Sequence, residues 1–168
     1  MERNGTQVDL FIAILVRFPY IGTIHCDPES GTLRLVFLLR EAHQDFQNFA
    51  QRFEAHLVLF HQLRDRKATV ASLRKTENAQ LTMVEVIRDI ASISLVELKL
   101  IVQLILDYYG DSVIKEGPEV QEEDAVEQEM MIEALLMAGS PRQLERLTGF
   151  REDGRVLVFS TAQGVSRQ

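Results

Sequence analysis

The sequence predicts an α+β protein: a four-stranded antiparallel sheet with helices packed on it, followed by a helical C-terminal arm that ends in a short strand. Three observations carry this expectation. The stretch Leu33-Arg34-Leu35-Val36-Phe37-Leu38-Leu39-Arg40-Glu41-Ala42 has a counterpart 48 residues later, Leu81-Thr82-Met83-Val84-Glu85-Val86-Ile87-Arg88-Asp89-Ile90. Each copy is preceded by a polar, turn-like segment and a shorter apolar run. Each is followed by a long helical pattern, so a strand-strand-helix unit is written twice, and with the first helix the order becomes αββαββα.

The first helix is capped by Thr6 or Asp9 and stopped by Pro19. Leu10, Phe11, Ile14, Leu15 and Phe18 recur at spacings of three and four, which suits a helix with a wide buried stripe. Residues 21–26 and 33–40 read as a hairpin around Asp27-Pro28-Glu29-Ser30-Gly31-Thr32. A second helix follows from about Ala42 to Leu63, with Phe46, Phe49, Phe53, Leu57 and Phe60 on one side as core. Residues 69–74 and 80–88 form the second pair of strands. Ser94-Leu95-Val96-Glu97 has the spacing of a capping box and opens a third helix through Tyr109, with Gly110 as its stop.

Glu116-Gly117-Pro118 breaks the chain, so the sequence divides into a core domain (1–115), an acidic linker (116–124) and an arm (125–168). The arm reads as a helix over about 125–138, a short further helix opened by Ser140-Pro141, an Asp153-Gly154 turn, a strand over 155–160 and a loose tail over 161–168.

Charge excludes some functions. The formal charge is -7. Residues 1–118 hold 13 Lys/Arg against 15 Asp/Glu, and residues 119–168 hold 5 against 10, so the acidity belongs mainly to the arm. A protein that grips nucleic acid by neutralising phosphates needs a net basic face. The lone Cys26 cannot close an intramolecular disulfide, and no apolar run approaches the ~18 residues that span a bilayer, so the chain reads as cytosolic, with neither nucleic acid nor membrane as partner.

The order of elements over about residues 6–110 resembles that of the LAGLIDADG homing endonucleases. Where that family carries an acidic metal ligand at the end of its first helix, this chain has Arg17-Phe18-Pro19-Tyr20-Ile21-Gly22. The resemblance therefore implies topology and no activity.

No phosphate loop, HExxH, CxxC or EF-hand pattern is present, and neither cofactor nor metal is expected. His56 and His61, five apart, point to different sides of a helix, and His43 would reach them only through tertiary contact. Arg64, Arg66, Lys67, Arg74 and Lys75 form the densest basic group. Residues 140–150 have the cadence of two-thirds of a helix-turn-helix, but a turn and strand stand where the recognition helix would be. Among the carboxylates Asp45, Glu54, Glu85 and Asp89, Glu85 is the most suggestive, because it stands where the first copy has Phe37.

Neither copy of the doubled strand has a wholly polar face, so both faces of the sheet are expected to be covered, the second by the arm or by another subunit. Val36, Leu38, Val84 and Val86 are assigned to that second cover. Met130, Met131 and Met137 on the arm suit either an adaptable contact surface or internal packing. The functional expectation is a non-catalytic protein-interaction or regulatory protein that forms a homodimer or docks a protein partner. The alternative is a ligand-binding or enzymatic domain with a cleft between the halves, lined by Glu85, Arg88, Arg40 and a histidine. Nucleic-acid binding is the third reading.

Overall fold

The computed structural model describes residues 5–40, 45–78, 80–138 and 144–160. The chain runs α1 (Gly5–Arg17), β1 (Thr23–Asp27), β2 (Thr32–Leu39), α2 (Phe46–Leu63), β3 (Ala71–Asn78), β4 (Leu81–Asp89), α3 (Leu95–Tyr109), α4 (Glu122–Met137), β5 (Leu147–Glu152) and β6 (Arg155–Ser160). It is an α+β protein. The sheet has six strands rather than four, in the order β3-β4-β2-β1-β5-β6, with every neighbouring pair antiparallel.

The last strand, β6, falls where the sequence placed it, while β5 corrects the expected second helix of the arm, whose start at 140–143 lies outside the described residues. Asp153 (φ 52°) and Gly154 (φ 78°) both take positive φ, the geometry of a two-residue hairpin, and pair Glu152 with Arg155. A tight hairpin makes the residues before it a strand, and β5 then pairs with β1 through Ile24 and Gly149. Gly149 is needed there. A Cβ on it would lie 3.0 Å from Leu15 Cδ1 and 3.2 Å from Ile24 Cγ2, where α1 crosses the sheet.

Direct cross-strand partners share a face, so the register sorts the sheet into two sides. One side carries Leu33, Leu35, Phe37 and Leu39 of β2 opposite Arg88, Val86, Val84 and Thr82 of β4, with Ile24, Cys26 and Leu147 beyond, all buried. Helices α1, α2 and α3 pack on this side. Phe49 of α2 stacks with Tyr108 and Tyr109 of α3 at 4.8 and 4.9 Å between ring centres, and Leu98, Ile101 and Ile105 of α3 are fully buried. Helix α4 lies mainly on α1 and secondarily on α3. It inserts the fully buried Ile132 and anchors Glu129 between Arg17 (2.6 Å) and Lys99 (3.2 Å).

The sorting also corrects the doubled stretch. Leu33, Leu35 and Phe37 face the helices, whereas Leu81, Met83 and Glu85, each 48 residues on, lie on the opposite side. Because facing alternates residue by residue, sequence-matched positions in β2 and β4 are one residue out of step.

A buried ionic cluster ties sheet to helices. Arg88, fully buried on β4, gives a bidentate pair to Glu97 of α3 and a further bond to Asp89. It also reaches Val70 O at 3.1 Å and Ser92 Oγ at 3.0 Å. Ser94 caps α3, accepting from Glu97 N at 3.2 Å, while the Glu97 carboxylate is committed to Arg88. His61 Nε2 of α2 stands 3.1 Å from the same carboxylate without a formed hydrogen bond. Removing one member of such a cluster strands the others in low dielectric. Arg88→Met should destabilise the protein by about 3–5 kcal/mol, read from urea midpoints, and Arg88→Met/Glu97→Met should recover much of that loss. A single variant within about 1 kcal/mol of the parent would show that the cluster is dispensable.

Candidate functional site

The other side of the sheet carries no helix among the described residues. Its positions fall in rows across the strands. Ile87, Arg34, His25, Thr148 and Phe159 form one row, and Arg74, Glu85, Val36, Thr23, Phe150 and Leu157 the next. Thr76, Met83 and Leu38 begin a third. Most of these side chains are half-buried or exposed, and Phe159 is 50% exposed. Phe150 and Phe159 meet edge-on at 5.4 Å, extending an apolar strip to the β6 edge.

The expected interface residues divide between the two sides. Val36 and Leu38 lie on this open face, but Val84 and Val86 are fully buried beneath the helices, so the four do not form one patch. The grouping followed the 48-residue spacing, which does not preserve facing. The described residues of the arm do not cover the open face: β5 and β6 widen the sheet, and α4 lies mainly on α1. Met130, Met131 and Met137 are turned to solvent, at 66%, 43% and 79% exposure, and the buried contact of α4 is Ile132. Helix α4 begins at Glu122, so Glu122, Glu123 and Asp124 occupy its first turn, where the helix dipole favours negative charge.

The polar candidates are likewise separated. Glu85 is on the open face, Arg88 is in the core, and Arg40 follows the end of β2, donating to Asp111 O at 3.0 Å. The basic group disperses. Arg66 donates to Ser92 O, Arg64 lies over the Phe60 ring, Lys75 pairs with Glu77, and Arg74 turns to the open face. Arg17, at the end of α1, holds Glu129. His56 bonds Arg52 O on the surface, and His43 and the 161–168 tail lie outside the described residues. Residues 147–150 are strand, which removes the helix-turn-helix cadence.

At one end of the open face the strands border a half-open hollow of about 580 Å³. His25 from β1, Arg34 from β2, Arg74 from β3, Ile87 from β4 and Thr148 from β5 line it, with Arg146 at its rim. Arg74 holds Glu85 Oε1 at 2.6 Å, while Arg34 reaches Glu85 Oε2 only at 3.4 Å. His25 Nδ1 is 3.1 Å from Thr148 Oγ1. Burial first and the Arg34 charge second lower the His25 pKa from 6.5 to about 4, so its ring is neutral at pH 7. Burial pushes the adjacent Cys26 thiol up to about 11, which makes it a poor nucleophile.

No sequence signal singled out this set. The pairing of β1 with β5, 123 residues apart at the His25–Thr148 contact, assembles it. Arg151 was missed in the same way. From β5 it donates to the carbonyls of Leu15, Phe18 and Ile21 at the end of α1, satisfying groups the helix leaves open. The chain matches no protein-family model, and comparison with curated proteins and with solved structures finds no significant match. Among the described residues no helix is long and apolar enough to cross a membrane, and no three His, Cys, Asp or Glu side chains are grouped to hold a metal.

The His25 environment has a pH signature. Its folded pKa lies below its unfolded value, so between pH 6.5 and about 4 the unfolded chain takes up a proton that the folded chain refuses. Stability from this residue is therefore complete above pH 6.5 and is lost as pH falls towards 4. His25→Asn should shrink the drop in urea midpoint between pH 7 and pH 4.5, and an unchanged drop would show that His25 is not shielded.

Proposed function

We propose that the chain is a non-catalytic interaction protein that self-associates through the open face of its sheet. The observation that carries this reading is the row pattern itself. A face without helices among the described residues carries Val36, Leu38, Met83, Ile87, Phe150, Leu157 and Phe159 at the positions that alternate with the core side, where a solvated sheet would carry polar side chains. Val36 is already buried within the chain, whereas the others, Phe159 above all, keep exposed area whose covering stabilises a pair by about 25 cal/mol per Å².

A second copy is the favoured occupant on size. Six strands at ~4.8 Å and five or six residues at ~3.3 Å present about 500 Å² per copy, so a two-fold pair covers about 1,000 Å², the lower limit of specific interfaces. A two-fold pair also places the same apolar rows against each other, as sheet-on-sheet packings do. The outward side of α4, with Met130, Met131 and Met137, is the other surface available for association.

Light scattering on the full chain should give twice the 19.2 kDa monomer mass. Leu38→Glu or Phe159→Lys should weaken the dimer by about tenfold or more while the melting temperature of the monomer is retained. Met130→Lys/Met137→Lys should leave it intact. A wild-type monomer at about 100 µM rules the reading out, and a dimer broken by the α4 variant alone moves the interface to the arm.

A further inference from the structure

We propose that the cavity at the end of the open face is a binding site for a small organic anion, a carboxylate or phosphate monoester carrying a short apolar body. It shares Ile87 with the face proposed for self-association, and its test reads ligand binding where the other reads oligomeric mass. The volume, about 580 Å³, falls within the roughly 300–1,000 Å³ of small-molecule pockets.

In a chain of net charge -7, three guanidiniums converge on this one hollow. Arg34 and Arg74 share one carboxylate. Arg74 occupies Glu85 Oε1 closely, and Arg34 is left with a 3.4 Å contact, long for a charge-assisted bond. The floor therefore retains positive charge on Arg34, whose side chain is two-thirds shielded from water. The His25 ring beside it adds no charge of its own, being kept neutral first by burial and then by the Arg34 charge. At the rim Arg146 pairs with Asp27 at 3.6 Å and Glu29 at 3.2 Å. Exposed pairs of this kind are worth about 0–1 kcal/mol and yield readily to a better partner.

Thr148 adds a hydroxyl to the lining, while the Ser30 hydroxyl donates to Asp27 at 2.9 Å and meets Thr32 Oγ1 at 2.8 Å, and Glu29 N donates to Asp27 at 3.1 Å. The remaining wall is apolar, formed by Val70, Ile87 and Leu147. Guanidiniums at the head and aliphatic carbons at the side fit an anionic group on a small hydrophobic stem, and their planar forks suit carboxylate and phosphate alike.

Calorimetric titration of the full chain with phenyl phosphate, benzoate and uncharged benzyl alcohol tests the assignment. At least one anion should bind saturably at one site, benzyl alcohol should not, and the tighter anion identifies the head group. Arg34→Gln should weaken binding tenfold or more, and Arg146→Gln, which leaves the Glu85 pair untouched, should weaken it less; melting curves verify that both variants fold. The proposal is overturned if neither anion saturates below about 10 mM, or if both variants bind as the parent does.

Discussion

Arg88 is the constraint on which the rest of this structure depends. A fully buried guanidinium must have its donors met, and here the partners come from three places: Glu97 on α3, Asp89 on its own strand, and Val70 and Ser92 in the flanking connections. Meeting them sets how far along β4 helix α3 begins and how the segment before β3 lies against the sheet. Asp89 adds to this by accepting from the backbone of Thr69 and Val70 at 3.0 and 3.1 Å. Apolar packing alone would tolerate sliding of α3; the ionic cluster does not, because each displaced charge would be left unpaired in low dielectric.

With α1, α2 and α3 committed to one side, the fate of the other side follows from the C-terminal hairpin. Widening the sheet through β1 satisfies the backbone of β5 in the ladder, and it places Arg151 where α1 ends. The consequence is a face five to six strands wide that carries no helix among the described residues, hollow at one end and apolar towards β6. The hollow and the strip are products of the same event, since Thr148, Phe150, Leu157 and Phe159 all arrive with that hairpin.

Much of the fold was legible residue by residue. The helical stripe Leu10-Phe11-Ile14-Leu15-Phe18 is buried as its spacing implied, and α3 spans the predicted residues with Ser94 as its cap. The hairpin about Gly31 (φ 68°) closes where a glycine was demanded. What was not legible has a common cause. The 48-residue match between two strands is a likeness of composition, and facing depends on a one-residue offset that composition does not record. Ser140-Pro141 is a sound local signal for a helix start, yet the strand that follows is determined by its partner β1 and by α1 crossing at Gly149, both distant in the chain. The cavity residues share no motif because each comes from a different strand.

From its own residues the chain determined where helices and hairpins begin and end, because caps, turn glycines and apolar periods act over three to six neighbours. Only the tertiary structure decided which side of the sheet each strand residue meets, that β5 would join β1, and that Arg34, Arg74, Arg146 and His25 would surround one hollow. Those outcomes turn on pairing register and on contacts more than a hundred residues apart, where local preference has no reach.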